Sequence, residues 1–232
     1  MSYQIQRFSK LLVLLFCTFF TLSAQSSLLL DGNFEENAIN TPWSFTPTAT
    51  LTTTSPISGS QSLLLSNANV ADNGFIVAFQ TIALDGSDFV VGDEIFLSGL
   101  AQLISSQTPL GRIFMEIAFR DDTNDAVKNV NGIDFANAVF TEVIFSSTGS
   151  ELFSTPSIVI PEMLTFDDGT TITTAATRGI RIALAMGPVN GIDGLTEVLF
   201  DEVRLQKVPE PSTIALLGLS LLFLGTRFKK AS

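Results

Sequence analysis

The stretch that decides the fold is Arg112-Ile-Phe-Met-Glu-Ile-Ala-Phe119. As an extended strand it turns Ile, Met, Ile and Phe side chains to one face and a mixed set to the other. The stretch Glu197-Val-Leu-Phe-Asp-Glu-Val-Arg-Leu205 alternates in a similar way, with one largely apolar face, near the end of the chain. Period-two alternation predicts half-buried β-strands.

Further apolar and β-branched runs recur between clusters of Gly, Asn, Asp, Ser and Pro. The predicted strands are Ser27–Asp31, Thr48–Thr53, Ser62–Leu65, Gly74–Ala83, Glu94–Ile104, Arg112–Phe119, Val139–Phe145, Ser157–Ile160, Gly179–Met186 and Thr196–Gln206. Between the two ends of the chain, a helical pattern is limited to one turn near Asp134–Asn137. This pattern predicts an all-β protein. A barrel or two smaller sheets stay possible, but the long connections favour a Greek-key or jelly-roll β-sandwich.

The N-terminus has the three parts of a secretory signal peptide. Arg7 and Lys10 precede an apolar run from Leu11 to Phe20, and small and polar residues follow. We predict a signal peptide over residues 1–25, with cleavage after Ala24. Phe16 is too bulky for the residue before a lipidated cysteine, so Cys17 is interpreted as filler of the apolar run.

The C-terminus begins with a Pro-Glu-Pro triplet, in which Pro209 and Pro211 fix φ and remove two backbone donors. Residues 213–226 are uncharged, and as a helix they would span roughly 21 Å, less than the roughly 30 Å hydrocarbon core of a bilayer. A basic cluster ends the chain: Arg227, Lys229 and Lys230. By the positive-inside rule this cluster orients the tail with the preceding domain outside. The segment is predicted to be a single, transient transmembrane helix.

The tail, residues 208–232, resembles the PEP-CTERM sorting domain that exosortases recognise. The residues that carry the resemblance are Val208, Pro209, Glu210, Pro211 and Ser212, together with the apolar run and the basic end. The resemblance implies export, membrane anchoring, processing by an exosortase-type enzyme and delivery to the cell surface or extracellular matrix. An ordinary single-span anchor is the alternative interpretation.

Residues 26–207 remain as one predicted domain. They contain 7 Lys and Arg residues against 22 Asp and Glu residues, a formal charge of −15, compared with −11 for the whole chain. Because phosphate neutralisation needs positive charge, this composition disfavours nucleic-acid binding. It suits divalent cations or solubility.

Two residue types that serve catalysis are missing from the mature domain. The chain has no histidine, and its one cysteine, Cys17, leaves with the signal peptide. Triad hydrolases that depend on Ser-His-Asp or Cys-His are therefore excluded, and so are most zinc sites. The domain also cannot form a disulfide, so its stability depends on packing or on a metal.

Three short motifs of the domain resemble carbohydrate-binding module families four and nine and their galactose-binding-domain-like relatives. They are Leu30-Asp-Gly-Asn-Phe-Glu-Glu36 followed by Pro42-Trp43, Ser58-Gly-Ser-Gln-Ser-Leu-Leu64 and Phe200-Asp-Glu-Val-Arg-Leu205. The resemblance implies a jelly roll in which the first and last strands lie side by side. It also implies a structural calcium ion near the termini.

A calcium site is predicted where these motifs meet. Glu35 and Asp201 would supply carboxylates, and Gly59 and Gln61 would supply carbonyl oxygens, which are ligands that Ca²⁺ accepts. The alternative is that both carboxylates are solvated at strand ends. Arg120-Asp-Asp-Thr-Asn-Asp125 resembles the start of an EF-hand loop but lacks its glycine and terminal glutamate, so it is interpreted as a polar hairpin loop.

The aromatic composition argues against an ordinary sugar-binding cleft. The only tyrosine, Tyr3, lies in the signal peptide, and the mature domain keeps one Trp and 14 Phe. Phe34 and Trp43 are predicted to lie in the core. Glu116 is the only acid that suggests glycoside hydrolysis, and a single acid on a strand more often faces solvent.

These observations predict a non-enzymatic envelope or matrix protein. It would be exported through the secretion machinery, sorted by its tail and anchored transiently in the inner membrane. A calcium-stabilised jelly roll would contact extracellular polysaccharide. Two alternatives stay open: a structural or adhesive matrix component without affinity for sugars, and a secreted glycoside hydrolase.

Overall fold

The computed structural model describes residues 29–36, 42–67, 74–86, 88–106, 112–121, 138–146, 149–167, 172–189 and 196–208. These residues contain thirteen β-strands and no helix. Among them, no helix has the length and hydropathy that a membrane crossing requires. The predicted signal peptide, the turn near Asp134–Asn137 and the predicted transmembrane helix lie outside the described residues.

The strands form two antiparallel sheets and a separate hairpin. The five-stranded sheet has the order β1-β4-β12-β6-β7, and its strands are β1 Ser44–Phe45, β4 Gly74–Ala83, β12 Gly179–Val189, β6 Ile113–Arg120 and β7 Ala138–Glu142. The six-stranded sheet has the order β2-β3-β13-β5-β8, with β9 also on β5, and its strands are β2 Ala49–Thr52, β3 Ser62–Ser66, β13 Thr196–Lys207, β5 Glu94–Ser106, β8 Glu151–Ser154 and β9 Ile158–Val159. The hairpin pairs β10 Met163–Asp167 with β11 Ile172–Ala176. This all-β sandwich confirms the predicted fold class at that level.

The two large sheets contribute to one hydrophobic core. In β6 the predicted apolar face is buried, and Ile117 and Phe119 are at most 1% exposed. Strand β12 pairs with β6, and its buried residues Ile180, Ile182 and Leu184 lie opposite the buried residues of β6. Burying each such side chain contributes roughly 1.5–3 kcal/mol, so these alternating strands supply much of the driving force for folding.

The last strand, β13, departs from the predicted alternation because it contains a β-bulge. Its register against β5 shifts between Asp201 and Arg204, and Glu202 has a φ of 49°. As a result Phe200 and Val203, which strict alternation would place on opposite faces, both lie in the core. One extra residue in a strand produces this change of face.

The bulge joins the start of the domain to its end. The N–H of Val203 donates to the carbonyl of Gly32 at 2.7 Å. A Cβ on residue 32 would lie 2.0 Å from the backbone carbonyl oxygen of Val203, so only glycine permits this close approach of the two segments. The junction therefore fixes the segment 29–36 against the centre of the six-stranded sheet.

The prediction of a strand over Ser27–Asp31 is wrong for its described part, because residues 29–33 form turns. Asp31 and Phe34 have φ values of 49° and 54°, which a strand cannot accommodate. The side chain of Gln80 takes the place of a neighbouring strand, since it accepts from the N–H of Leu30 at 3.1 Å and donates to its carbonyl at 2.9 Å.

The other nine predicted strands are all present, β4 with its predicted bounds and the rest with shifted ends. The prediction over Val139–Phe145 extends too far, because the strand ends at Glu142. Four strands were missed: β1, β8, β10 and β11. Two of these are very short or lie at a sheet edge, and the other two form the small hairpin, so none carries a long alternating pattern.

Replacing Gly32 with alanine should lower the free energy of unfolding by about 1–3 kcal/mol, because the new methyl group must displace the Val203 carbonyl. Chemical denaturation of the two proteins measures the difference. Asn33→Ala, an exposed position in the same turn, is the matched control and should change stability by less than about 0.5 kcal/mol. Equal stability of Gly32→Ala and the parent chain would contradict the close approach.

Candidate functional site

Two regions of the sandwich bring together side chains with functional potential. The first is a carboxylate clasp, formed by Glu35, Asp201 and the β2–β3 loop, residues 53–61. The second is an aromatic face on the outside of the five-stranded sheet, and its residues are given below. The sequence predicted the residues of the first region and missed the second.

In the clasp, the Glu35 carboxylate binds the outer side of the loop. Its Oε1 accepts from the N–H groups of Ser60 at 2.8 Å and Gln61 at 3.3 Å, and its Oε2 accepts from the Ser60 hydroxyl. Gly59 has a φ of 55°, and a Cβ there would lie 2.1 Å from Glu35 Oε1. Residue 59 must therefore be glycine for the carboxylate to reach the loop.

The Asp201 carboxylate binds the same loop from within the sheet. Its Oδ2 accepts from the N–H of Ser58 at 2.9 Å and the hydroxyl of Ser62 at 2.8 Å. Its Oδ1 accepts from the N–H of Glu202 in the bulge at 2.7 Å. Asp201 is fully buried, so these bonds offset the loss of water around the carboxylate.

The two carboxylates have opposite pKa shifts. The hydrogen bonds from the Ser60 hydroxyl and N–H hold the pKa of Glu35 below its ordinary value. Burial raises the pKa of Asp201, although hydrogen bonds from Ser62, Glu202 and Ser58 act in the other direction. Ionised Glu35 therefore stabilises the fold, whereas ionising Asp201 costs free energy.

The four residues predicted to bind calcium converge on this loop. Gln61 is part of the contact, because its side-chain Nε2 donates to the carbonyl of Glu36 at 3.0 Å. However, the carboxylate oxygens of Glu35 and Asp201 accept hydrogen bonds from N–H and O–H groups. The arrangement does not fit a calcium ion unless the ion replaces some of these donors. Within the described ranges, no group of three or more acidic, His or Cys side chains is placed to bind a metal.

Phe34 and Trp43 lie in the core. They are 0% and 4% exposed, and their ring centroids are 5.2 Å apart. Trp43 also donates from Nε1 to the carbonyl of Asp31 at 3.1 Å. These two rings anchor the N-terminal segment beside the clasp and present no surface for a ligand.

The aromatic face is formed by the outward side chains of β4, β12, β6 and β7. Its aromatic members are Phe75, Phe79, Phe114 and Phe140. Phe75 is 44% exposed and Phe140 is 36% exposed. Phe114 packs edge-on against Phe140, with ring centroids 6.4 Å apart.

Small residues lie at the middle of this face. In β12, Ala183 lies opposite Phe79 on one side and Glu116 on the other, and Ala185 lies opposite Phe114. Both alanines are 2% exposed because larger side chains flank them. The two alanines therefore form a strip of small side chains between the aromatic side chains on β4 and those on β6 and β7.

Ion pairs and hydrogen bonds cross the same face. Arg181 pairs with Glu116 at 2.8 Å, and its Nε, although buried, has no hydrogen-bond partner among the described residues. Arg120 donates to the Thr81 hydroxyl at 3.5 Å, and Arg112 pairs with Glu142 at the same distance. The face thus combines aromatic surface with fixed polar groups, the combination found in small-molecule sites.

A sequence signal for the aromatic face exists in β4. The run Phe75-Ile-Val-Ala-Phe79 is apolar on both faces, whereas a strand with one solvated face alternates apolar with polar residues. The inner face takes Ile76 and Ala78 into the core, which leaves the outer phenylalanines without a role in it. The outer face is therefore a candidate binding surface.

Comparison with a protein-family model identifies the tail. Residues 207–230 match the model of the PEP-CTERM protein-sorting motif. The sorting signal predicted from Val208, Pro209, Glu210, Pro211 and Ser212 is therefore confirmed. The match begins at Lys207, the last residue of β13, so the motif follows the folded domain directly. A search of curated proteins found no match.

Solved structures with a similar chain trace include a bacteriophage tailspike and two carbohydrate-binding modules. The enzymatically active domain of bacteriophage CBA120 tailspike protein 4 has a TM-score of 0.48 and 15% identity over 78% of this chain, which spans 21% of the tailspike chain. The CBM22-1 xylan-binding domain of Paenibacillus barcinonensis Xyn10C has a TM-score of 0.46 and 12% identity, covering 81% of this chain and 99% of its own. A CBM4 structure has a TM-score of 0.42 and 14% identity, covering 78% and 99%. None of these likenesses assigns a function.

Replacing Glu35 with glutamine should destabilise the domain at neutral pH and have little effect in acid. The hydrogen-bonded carboxylate stabilises the fold fully above the ordinary glutamate pKa of about 4.3, and this contribution is lost as the pH falls through the lower pKa of the folded state. Melting temperatures of the parent and Glu35→Gln at pH 7 and pH 3 measure the effect.

The adjacent carboxylate provides the control for this comparison. Glu36 is exposed, and Glu36→Gln removes one charge at nearly the same place. This variant should melt close to the parent at both pH values. A destabilisation by Glu35→Gln that is as large at pH 3 as at pH 7 would show that charge on Glu35 does not stabilise the loop.

Proposed function

We propose that the protein is a non-enzymatic component of the cell surface or extracellular matrix that binds extracellular polysaccharide. The observation that carries the binding proposal is the aromatic face, with Phe75 and Phe140 exposed beside fixed polar groups. The observation that supports delivery to the surface is the sorting motif at residues 207–230.

Delivery would proceed in the order that the sequence suggests. The signal peptide, residues 1–25, would direct residues 26–207 through the secretion machinery, and the apolar run within residues 213–226 would halt in the inner membrane. Arg227, Lys229 and Lys230 would stay on the cytoplasmic side. An exosortase-type enzyme would then process the tail at the Pro-Glu-Pro motif and release the domain to the surface or matrix.

Polysaccharide suits the aromatic face on chemical grounds. The flat, apolar C–H surface of a pyranose packs on an aromatic ring, and phenylalanine supplies that ring without a polar group of its own. Hydroxyl groups of the sugar then need donors and acceptors nearby, which Arg181, Glu116 and Thr81 offer. We propose a jelly-roll arrangement for the sandwich, with this face as its binding surface.

The glycoside hydrolase alternative depends on a pair of available carboxyl groups. Glu116 and Glu142 share the aromatic face, on neighbouring strands. Each is engaged in an ion pair, Glu116 with Arg181 and Glu142 with Arg112. These contacts favour a structural role for both acids and support the non-enzymatic proposal.

A structural calcium ion at Glu35, Gly59, Gln61 and Asp201 also remains a proposal. It draws support from the convergence of these residues on one loop. The ion would link the N-terminal segment to the last strand, and its oxygen ligands are of the type that Ca²⁺ prefers. The hydrogen bonds that these carboxylates accept would have to rearrange around it.

Removing an exposed ring should weaken polysaccharide binding by about tenfold, because a lost aromatic contact costs on the order of 1.4 kcal/mol. The variants are Phe75→Ala and Phe140→Ala, and affinity electrophoresis in gels that contain the host's own exopolysaccharide measures the change. Leu152→Ala is the control, because Leu152 is 73% exposed on the other sheet.

Four outcomes separate the functions, three in the binding assay and one in an assay for reducing ends. Loss of binding in the phenylalanine variants alone supports the proposal, and equal loss in Leu152→Ala contradicts a specific face. A parent chain that binds no polysaccharide leaves the structural or adhesive component as the function. Release of reducing ends by the parent but not by Glu116→Gln would establish a hydrolase instead.

For calcium, the measurement is the melting temperature in chelator and in calcium chloride. A bound ion at a hundredfold excess over its dissociation constant stabilises the fold by about 2.7 kcal/mol, or roughly 5–10 °C for a domain of this size. Glu35→Gln should lose that increase. Identical melting of the parent in both solutions would contradict the calcium site and leave the hydrogen bonds as the only links in the clasp.

A further inference from the structure

The sorting motif starts against one particular end of the sandwich. The N–H of Val208 donates to the carbonyl of Glu94 at 2.7 Å. Lys207 forms an ion pair with Asp93 at 2.6 Å, and its ammonium group lies 5.6 Å from the centre of the Phe89 ring. These contacts fix the chain beside residues 88–94 at the point where the tail leaves the domain.

Residues 90–93 form a tight turn at this end. The N–H of Asp93 donates to the carbonyl of Val90 at 3.1 Å, and Gly92 has a φ of 93°, as in a type II turn. Two further hydrogen bonds, each of 2.9 Å, join the turn to Ile160: from the N–H of Gly92 to the carbonyl of Ile160, and from the N–H of Ile160 to the carbonyl of Asp93. The tip of the turn is therefore fixed in position.

This tip presents apolar side chains to the outside. Val90 is 47% exposed and Val91 is 45% exposed, and Val159, paired with Glu94 at the same end, is 53% exposed. The carboxylate of Asp93 is not part of this apolar set, since it accepts from the N–H of Val90 at 2.8 Å and forms the ion pair with Lys207. Glu94 accepts from the hydroxyl of Ser157.

The length of chain beyond Val208 limits how far this tip can be from a membrane. Five residues, 209–213, separate Val208 from the apolar run that begins at Ile214. Fully extended, they reach at most about 18 Å. An anchored chain therefore keeps this end of the domain within about 18 Å of the apolar run.

We propose that Val90 and Val91 contact the membrane, entering the interfacial layer of the bilayer while the tail is anchored. This inference rests on the membrane anchor of the proposed function. The partner is a lipid surface, because the tip of the turn exposes two valines and the carboxylate next to them, Asp93, is paired with Lys207. The contact places the aromatic face to one side of the anchored domain and leaves it accessible to polymer.

The test uses the chain without residues 1–25, which contains no cysteine. An environment-sensitive fluorophore is attached at Val91→Cys and the protein is reconstituted in phosphatidylcholine vesicles that contain spin-labelled, quenching lipids. The control is Ile104→Cys, which is 46% exposed near the opposite end of β5, roughly 33 Å from Glu94. A third label at Leu217→Cys reports on the tail.

Quenching at Val91→Cys that is at least threefold stronger than at Ile104→Cys is the expected result, with strong quenching at Leu217→Cys. If Leu217→Cys is quenched and the other two sites are equally unquenched, the contact is wrong and the anchor stands. If Leu217→Cys itself stays unquenched, the anchor fails and the inference fails with it.

Discussion

The buried carboxylate of Asp201 is the constraint on which the other parts of this sandwich depend. It accepts one hydrogen bond from the N–H of Glu202 in the bulge that follows it. It accepts two more from the N–H of Ser58 and the hydroxyl of Ser62. The bulge in turn frees the Val203 N–H for Gly32. A single ionisable group thus links the middle of β13, the β2–β3 loop and the beginning of the domain. The domain has no disulfide, so this network of hydrogen bonds connects its first and last segments.

The two faces of the five-stranded sheet are apolar for different reasons. The inner face is required for folding, since Ile117, Ile182 and their neighbours are fully buried in the shared core. The outer face is not needed for that purpose, yet it carries phenylalanines on three strands. Large exposed apolar patches often mark interaction sites, which makes this face the candidate for one. If the outer face binds polymer as proposed, stability and recognition would be assigned to opposite faces of one sheet, and the outer side chains could change without altering the core.

Much of this fold could be predicted from the sequence where the local pattern and the tertiary environment agree. Strand β4 was predicted with its observed bounds, and the inner face of β6 followed directly from alternation. The bulge in β13 could not be predicted, because a period-two pattern contains no information on an inserted residue. The turn at residues 29–33 depends on the distant Gln80, a non-local contact.

For the candidate site, resemblance located Glu35 and Asp201, but their bonding partners became visible only in three dimensions. The outer phenylalanines were missed because phenylalanine is usually a core residue.

The position of the tail at the end of β13 has a mechanical consequence. This strand lies in the middle of the six-stranded sheet, antiparallel to β3 on one side and β5 on the other. A force applied through an anchored tail would pull along the strand, perpendicular to its hydrogen bonds, and would load them together in shear rather than one after another. Geometry of this kind resists extension strongly. Under the anchoring proposed for the tail, tension would therefore enter the domain through a central strand that is bonded on both sides.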